Sequence, residues 1–169
     1  RSRSKRESDL RRPSPIWHLF CTYLGASAFN AGAPTPFYSL MMRTILVVDD
    51  SPTIRKMVRA ALGGLRDVGF IEAGSGLQAI ETLAMHPVRM VVLDLNMPDM
   101  HGLDVLKFLR SHSQYRALPV MVLTTRGDES SREQVLEAGA TSYLTKPFSP
   151  GFLVSSVREL LDAAPDPSA

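Results

Sequence analysis

Along residues 42–163, short apolar runs alternate with segments whose apolar positions recur every three to four residues. That alternation is the pattern of a parallel α/β sheet. The runs predict strands near residues 44–48, 67–73, 89–93, 119–123 and 143–145. The first helix has Ser51 as N-cap, Pro52 in its first turn and the stripe Ile54, Met57, Val58, Ala61, Leu62 and Leu65; Gly63-Gly64 weakens its last turn. A second helix carries Leu77, Ile80, Leu83 and Ala84 ahead of Pro87, and a third carries Leu103, Leu106 and Leu109. The fourth, residues 128–138, is largely polar, anchored by Val135 and Leu136 and stopped by Gly139. The last shows Leu153, Val154, Val157, Leu160 and Leu161, then frays over residues 164–169. The fourth run is almost wholly apolar, as a strand buried on both faces requires. The predicted class is α/β, a doubly wound five-stranded parallel sheet.

The chain has 169 residues, 44% of them hydrophobic and 21% charged, the balance of a soluble globular protein. Its formal charge of +2 is unevenly placed. Residues 1–41 hold six Lys/Arg against Glu7 and Asp9, whereas the remainder is net acidic. The basic balance therefore gives the folded part no signature of nucleic-acid binding. Cys21 is the sole cysteine, which excludes an intrachain disulfide and fits a reducing compartment. No apolar run approaches a membrane span. The domain reading is a disordered or non-native leader over 1–41, one domain over 42–163 and a short tail. The leader's alternatives are a flexible docking tail and a cleaved export signal.

Chemistry concentrates at the ends of the apolar runs. Asp49-Asp50 follows Ile45-Leu-Val-Val48, Asp94 follows Met90-Val-Val-Leu93, and Lys146 follows Tyr143-Leu-Thr145. In a parallel sheet, strand ends at a switch in strand order form the binding crevice. These groups should therefore converge on one edge. Clustered carboxylates repel unless a cation joins them, which points to a magnesium site and to phosphoryl chemistry. Asp94 is the candidate nucleophile, because its strand is central and Pro98 and Gly102 constrain the loop after it. Singly, each residue has an ordinary explanation: an acidic pair capping a helix, a strand-end Thr124, a solvated Lys146, a surface Tyr143. Their coincidence carries the functional reading.

Val47-Val-Asp-Asp50, Leu93-Asp-Leu-Asn-Met-Pro98 with Gly102, Leu123-Thr124, and Gly139-Ala-x-x-Tyr-Leu-x-Lys-Pro-Phe148 stand in order at matching strand ends. Together they resemble the receiver domain of bacterial response regulators, and among these the single-domain, chemotaxis-type (CheY-like) members. The resemblance implies a flavodoxin-like sheet in order 2-1-3-4-5 and phosphorylation of Asp94 by a histidine kinase. It implies Mg2+ held directly by Asp50 and Asp94, by the backbone carbonyl of Asn96, and by Asp49 through water. Lys146 and Thr124 would contact the phosphoryl oxygens, and Thr124 and Tyr143 would couple as the switch. The fourth helix, fifth strand and last helix would form the output face. A cis bond at Lys146-Pro147 is the family's arrangement; the sequence alone leaves cis and trans open. Thr125 and Arg126 depart from the commonest pattern and are placed to affect phosphoryl access and lifetime. The segment from Glu72 to Gly76 receives no role.

The implied function is a cytoplasmic phosphoacceptor and not a separate enzyme. Its partners are a histidine kinase or phosphotransfer protein and a downstream protein such as a flagellar motor component, with neither nucleic acid nor membrane involved. The phosphodonor's location sets the export-signal reading aside. Two alternatives belong to other classes: an aspartate-nucleophile phosphatase or phosphotransferase, and a receiver-like adaptor that works without phosphorylation.

Overall fold

The structure, a computed structural model, describes residues 42–125 and 129–164, with the side chains of 129–131 left aside. The expectations for the leader, for residues 165–169 and for Arg126 therefore lie outside the described residues. The chain runs β1 (Arg43–Val48), α1 (Pro52–Leu62), β2 (Val68–Ala73), α2 (Gly76–Met85), β3 (Met90–Asp94), α3 (Gly102–Ser111), β4 (Val120–Thr124), α4 (Glu129–Glu137), β5 (Ser142–Thr145) and α5 (Pro150–Ala163). All strand pairings are parallel and the order is β2-β1-β3-β4-β5. From β1 the chain winds outward to β2, then returns past β1 to β3. The crevice between β1 and β3 is thus the topological switch point.

Every residue of β3 and β4 is buried, as continuous apolar runs covered by helices on both faces demand. Alternation divides the core in two. Ile45, Val47, Met90, Val92, Met121 and Leu123 meet Val58 and Leu62 of α1 and Leu153, Val157 and Leu161 of α5. Leu46, Val48, Val91, Leu93, Val120 and Val122 face Ala79 and Leu83 of α2, Val105, Leu106 and Leu109 of α3, and Val135 of α4. Each large side chain so buried contributes about 1.5–3 kcal/mol over its exposed state.

The helix ends follow local chemistry. Ser51 Oγ accepts from the Ile54 amide, with Pro52 beside it in the first turn. Gly139, at φ +97°, ends α4: its amide donates to Leu136 and that of Ala140 to Val135, a Schellman pair.

Four apolar positions, in three helices, face away from the core. In α2 the buried residues are Gly76, Ala79 and Leu83, while Leu77 is 58% exposed and Ala84 is exposed. The helix lies so close that a Cβ on Gly76 would come within 2.8 Å of Met100 and Val105, so small residues face inward and Leu77 faces out. Met57 is 50% exposed and borders the opening at the sheet edge, not the core. Leu136 is also exposed, leaving Val135 to anchor α4 among its described side chains.

Candidate functional site

Four of the five strands, all but β2, deliver one of the predicted residues to the same edge of the sheet. Asp49 follows β1, Asp94 and Thr124 are the last residues of β3 and β4, and Lys146 follows β5. The structure brings them together. Lys146 Nζ donates to Asp49 Oδ2 at 2.5 Å and to Asp94 Oδ1 at 2.8 Å. Carboxylate oxygens of Asp49, Asp50 and Asp94 lie within 4.8 Å of one another, with Asp50 exposed and the other two buried. The Asp49 carboxylate is further fixed by the Ser51 amide at 2.9 Å, and Asp94 Oδ2 accepts from the Asn96 amide at 3.0 Å. Thr124 is wholly buried, and Asn96 Nδ2 approaches its hydroxyl at 3.5 Å. The Lys146–Pro147 peptide bond is cis.

Gly102 fixes the loop beside Asp94. Gly102 packs on the Asp94 carbonyl and on Leu95, leaving no room for a Cβ, and its amide donates to the Leu95 carbonyl at 3.0 Å. The loop that follows Asp94 is therefore folded back on the residue that bears the carboxylate. A cavity of about 420 Å³ is lined by Asp49, Asp50, Asp94 and Lys146 together with the apolar Ile54, Met57, Pro147 and Phe148.

The electrostatics are unequal across the ion pairs. Burial pushes the Asp94 carboxyl above its ordinary range, and the bonds from Lys146 only partly counter that. Burial alone would lower the Lys146 ammonium, but the bonds from Asp49 and Asp94 outweigh it and hold it above its usual value. The contrast has a simple cause. One ammonium gains from two carboxylates, while each carboxylate receives a share of one ammonium. Three carboxylates and one ammonium leave a formal charge of −2 at the site. Hard carboxylate oxygens at this spacing suit a hard divalent cation.

The family model for the response regulator receiver domain matches residues 45–158. The chain belongs to the response regulator receiver domain family. It is 36% identical over 118 residues to the chemotaxis protein CheY1 of Helicobacter pylori, covering 69% of this chain and 95% of that relative. Among solved structures, Vibrio cholerae chemotaxis protein CheY4 superposes with TM-score 0.66 at 32% identity, over 70% of this chain and 98% of the other. The Mn(2+)-bound form of response regulator Rcp1 does so with TM-score 0.61 at 28% identity, over 72% and 93%. The receiver is thus of the chemotaxis type within two-component signalling, and the family does not favour the phosphatase alternative. Among the described residues, no helix is long and apolar enough to cross a membrane.

In the receiver Lys146 grips both Asp49 and Asp94, so one ammonium serves both buried acids. Tyr143 is half-buried against the core face shared by α2, α3 and α4, not a bare surface aromatic. Thr125 lines the cavity, its hydroxyl accepting from Asn96 Nδ2 at 3.2 Å. Two residues carried no sequence signal. Arg55 of α1 donates to the Asp49 carbonyl at 2.7 Å and to Glu72 of β2 at 2.9 Å, and Arg59 donates to the other Glu72 oxygen at 2.8 Å. These bonds hold the Glu72 carboxyl below the usual carboxylate range. Glu72 thus gains a structural place, and within the same segment Ser75 caps α2.

Proposed function

We propose that this receiver accepts a phosphoryl group on Asp94 from a phosphohistidine of a kinase or phosphotransfer protein, and that the acyl phosphate reshapes a protein-binding face made by α4, β5 and α5. The observation that carries the reading is the meeting of Asp49, Asp50, Asp94 and Lys146, from three strand ends, at the switch point. An Asp94 carboxylate oxygen attacks phosphorus as the bond from phosphorus to the donor nitrogen breaks, and the imidazole leaves with that electron pair. Little covalent assistance is needed beyond positioning and neutralisation of charge.

Lys146 holds the nucleophile before transfer and pairs with a phosphoryl oxygen after it. Thr124 donates its hydroxyl to a second oxygen. Asp50, Asp94 and the Asn96 carbonyl would hold Mg2+, with Asp49 assisting through water. The ion supplies the neutralisation that a single ammonium leaves incomplete. Water later attacks the acyl phosphate and regenerates Asp94, so the chain is turned over as a signal carrier and acts on no separate substrate. A kinase of this type works in the cytoplasm, and the receiver with it.

The switch rests on sheet geometry. Val122 stands opposite Tyr143, and Thr124 lies two residues on, so by alternation Thr124 and Tyr143 share one face. A phosphoryl group adds nearly two negative charges at neutral pH and draws the Thr124 hydroxyl toward it, which frees room on that face for Tyr143.

Incubation of the full chain with magnesium and acetyl phosphate, followed by intact-mass measurement, tests the reading. A transient phosphoryl adduct that is absent from Asp94→Asn is the expected result. An adduct that persists in that variant, or none with any acyl-phosphate donor or cognate kinase, refutes it.

A further inference from the structure

We infer that Arg55 is a positioning residue for the metal-binding loop, held in place by Glu72 and acting through the backbone carbonyl of Asp49. This rests on the proposed magnesium site and extends it to residues that touch no metal or phosphate.

Asp49 and Asp50 are adjacent, and the peptide that joins them sets how their carboxylates are presented. Asp49's amide continues the sheet by donating to the Ala73 carbonyl at 3.1 Å. Its carbonyl takes its hydrogen bond from a side chain, Arg55 Nη1, at 2.7 Å. The same nitrogen stands 3.5 Å from the Asp50 carbonyl. The guanidinium is not free to wander. Its Nε donates to Glu72 Oε2, and the arginine side chain is only 18% exposed. Glu72 is in turn held by Arg59 through its second oxygen. The planar fork of arginine thus spans from a carboxylate on β2 to the carbonyl between the two acids, through two separate nitrogens in a fixed geometry that a lysine ammonium does not supply.

The placement looks perverse as electrostatics. A permanent cation beside a cation site repels the incoming ion. If Arg55 acted only as a charge, removing it would tighten metal binding. If it orients the ligand loop, removing it weakens binding despite the lost repulsion. The two roles predict opposite signs. Outer-shell partners that orient ligands are typically worth 10–100-fold in metal affinity.

The test is a Mg2+ titration of the full chain, read by isothermal calorimetry, for wild type, Asp50→Asn, Arg55→Gln and Arg55→Lys, with urea unfolding of each in chelator. The expected result is wild-type binding that Asp50→Asn abolishes and that both Arg55 variants weaken by about 10-fold or more. Arg55→Lys decides the case if Arg55→Gln unfolds, because it keeps the charge and loses the fork. Wild-type binding left unchanged or tightened in the Arg55 variants overturns the positioning role and leaves the metal site standing. Absence of wild-type binding that depends on Asp50 removes the metal site and this inference together.

Discussion

Magnesium should stabilise this fold, and the effect should depend on Asp50. The buried pair Asp49 and Asp94 offers carboxylate oxygens within 4.8 Å of each other. At an effective dielectric constant of ~20, two unit charges at that distance repel by about 3.5 kcal/mol. Lys146 lies between them and offsets that pair, but it makes no bond to Asp50. The formal −2 that remains matches one divalent ion. An ion that binds only the folded state stabilises by RT ln(1 + [L]/Kd), about 2.7 kcal/mol at one hundred times Kd. For a domain of this size that raises Tm by roughly 10 °C.

The assay is calorimetric or dye-monitored melting of the full chain with magnesium or with chelator, at constant ionic strength so that screening is the same in both. Asp50→Asn should melt at or slightly above the wild-type temperature in chelator, since a repelling charge is gone, and should lose most of the magnesium increment. Two results would refute the reasoning. One is a wild-type Tm indifferent to magnesium at millimolar concentration. The other is an increment that survives in Asp50→Asn, which would locate the stabilising ion elsewhere.

Two further outcomes follow from the same geometry. Gly102→Ala forces a Cβ against the Asp94 carbonyl and to 2.8 Å from the Leu95 Cα, both backbone positions that cannot swing aside. It should cost about 1–3 kcal/mol or more, seen as a lower urea midpoint with the slope retained; an unchanged midpoint would contradict the close packing of that loop. For pH, the Asp94 carboxyl is raised in the folded state by burial. The folded protein therefore binds that proton more tightly than the unfolded chain. The linked stability is present below the unfolded value and is lost as pH climbs through the folded one. In chelator, Asp94→Asn should gain on wild type across that window and hold its advantage above it. A stability difference that is flat with pH would show that Asp94 is not desolvated in this way.

The site was legible because each of its acids follows an apolar run long enough to be a strand, and parallel strands deliver their ends to one edge. Asp49 after Val48 and Asp94 after Leu93 needed no tertiary knowledge beyond that rule. The facing of α2 was not legible, since a pattern weighted by size favours Leu77 over Gly76 and Ala79. Close approach to Met100 and Val105 rewards the absence of a side chain, which hydropathy does not record. The Arg55–Glu72 strut was hidden for a different reason. It joins residues 17 apart on α1 and β2, and nothing local marks either as other than a solvated charge. The grip of Lys146 on Asp49 and Asp94 joins residues 97 and 52 positions apart, a convergence that the strand-end rule brings to one edge but does not resolve into particular partners.

The neighbourhood of Asp94 also favours one direction for any response to added charge. Lys146 and Thr124, the two residues proposed to meet a phosphoryl group, are joined through the backbone, where the Lys146 amide donates to the Thr124 carbonyl at 2.7 Å. A displacement of either side chain is thus felt directly in the pairing of β4 with β5. The two strands are not equally anchored. β4 is buried at every position, whereas β5 has four residues, none of them fully buried, and stands at the sheet edge. Beside it α4 is held by Val135 among its described side chains, with Leu136 turned outward. Elements with few buried apolar contacts shift at least cost. On the proposed reading, charge added at Asp94 would therefore shift β5 and α4 at less cost than the buried β3 and β4. Tyr143 sits on that yielding strand, on the face that Thr124 shares.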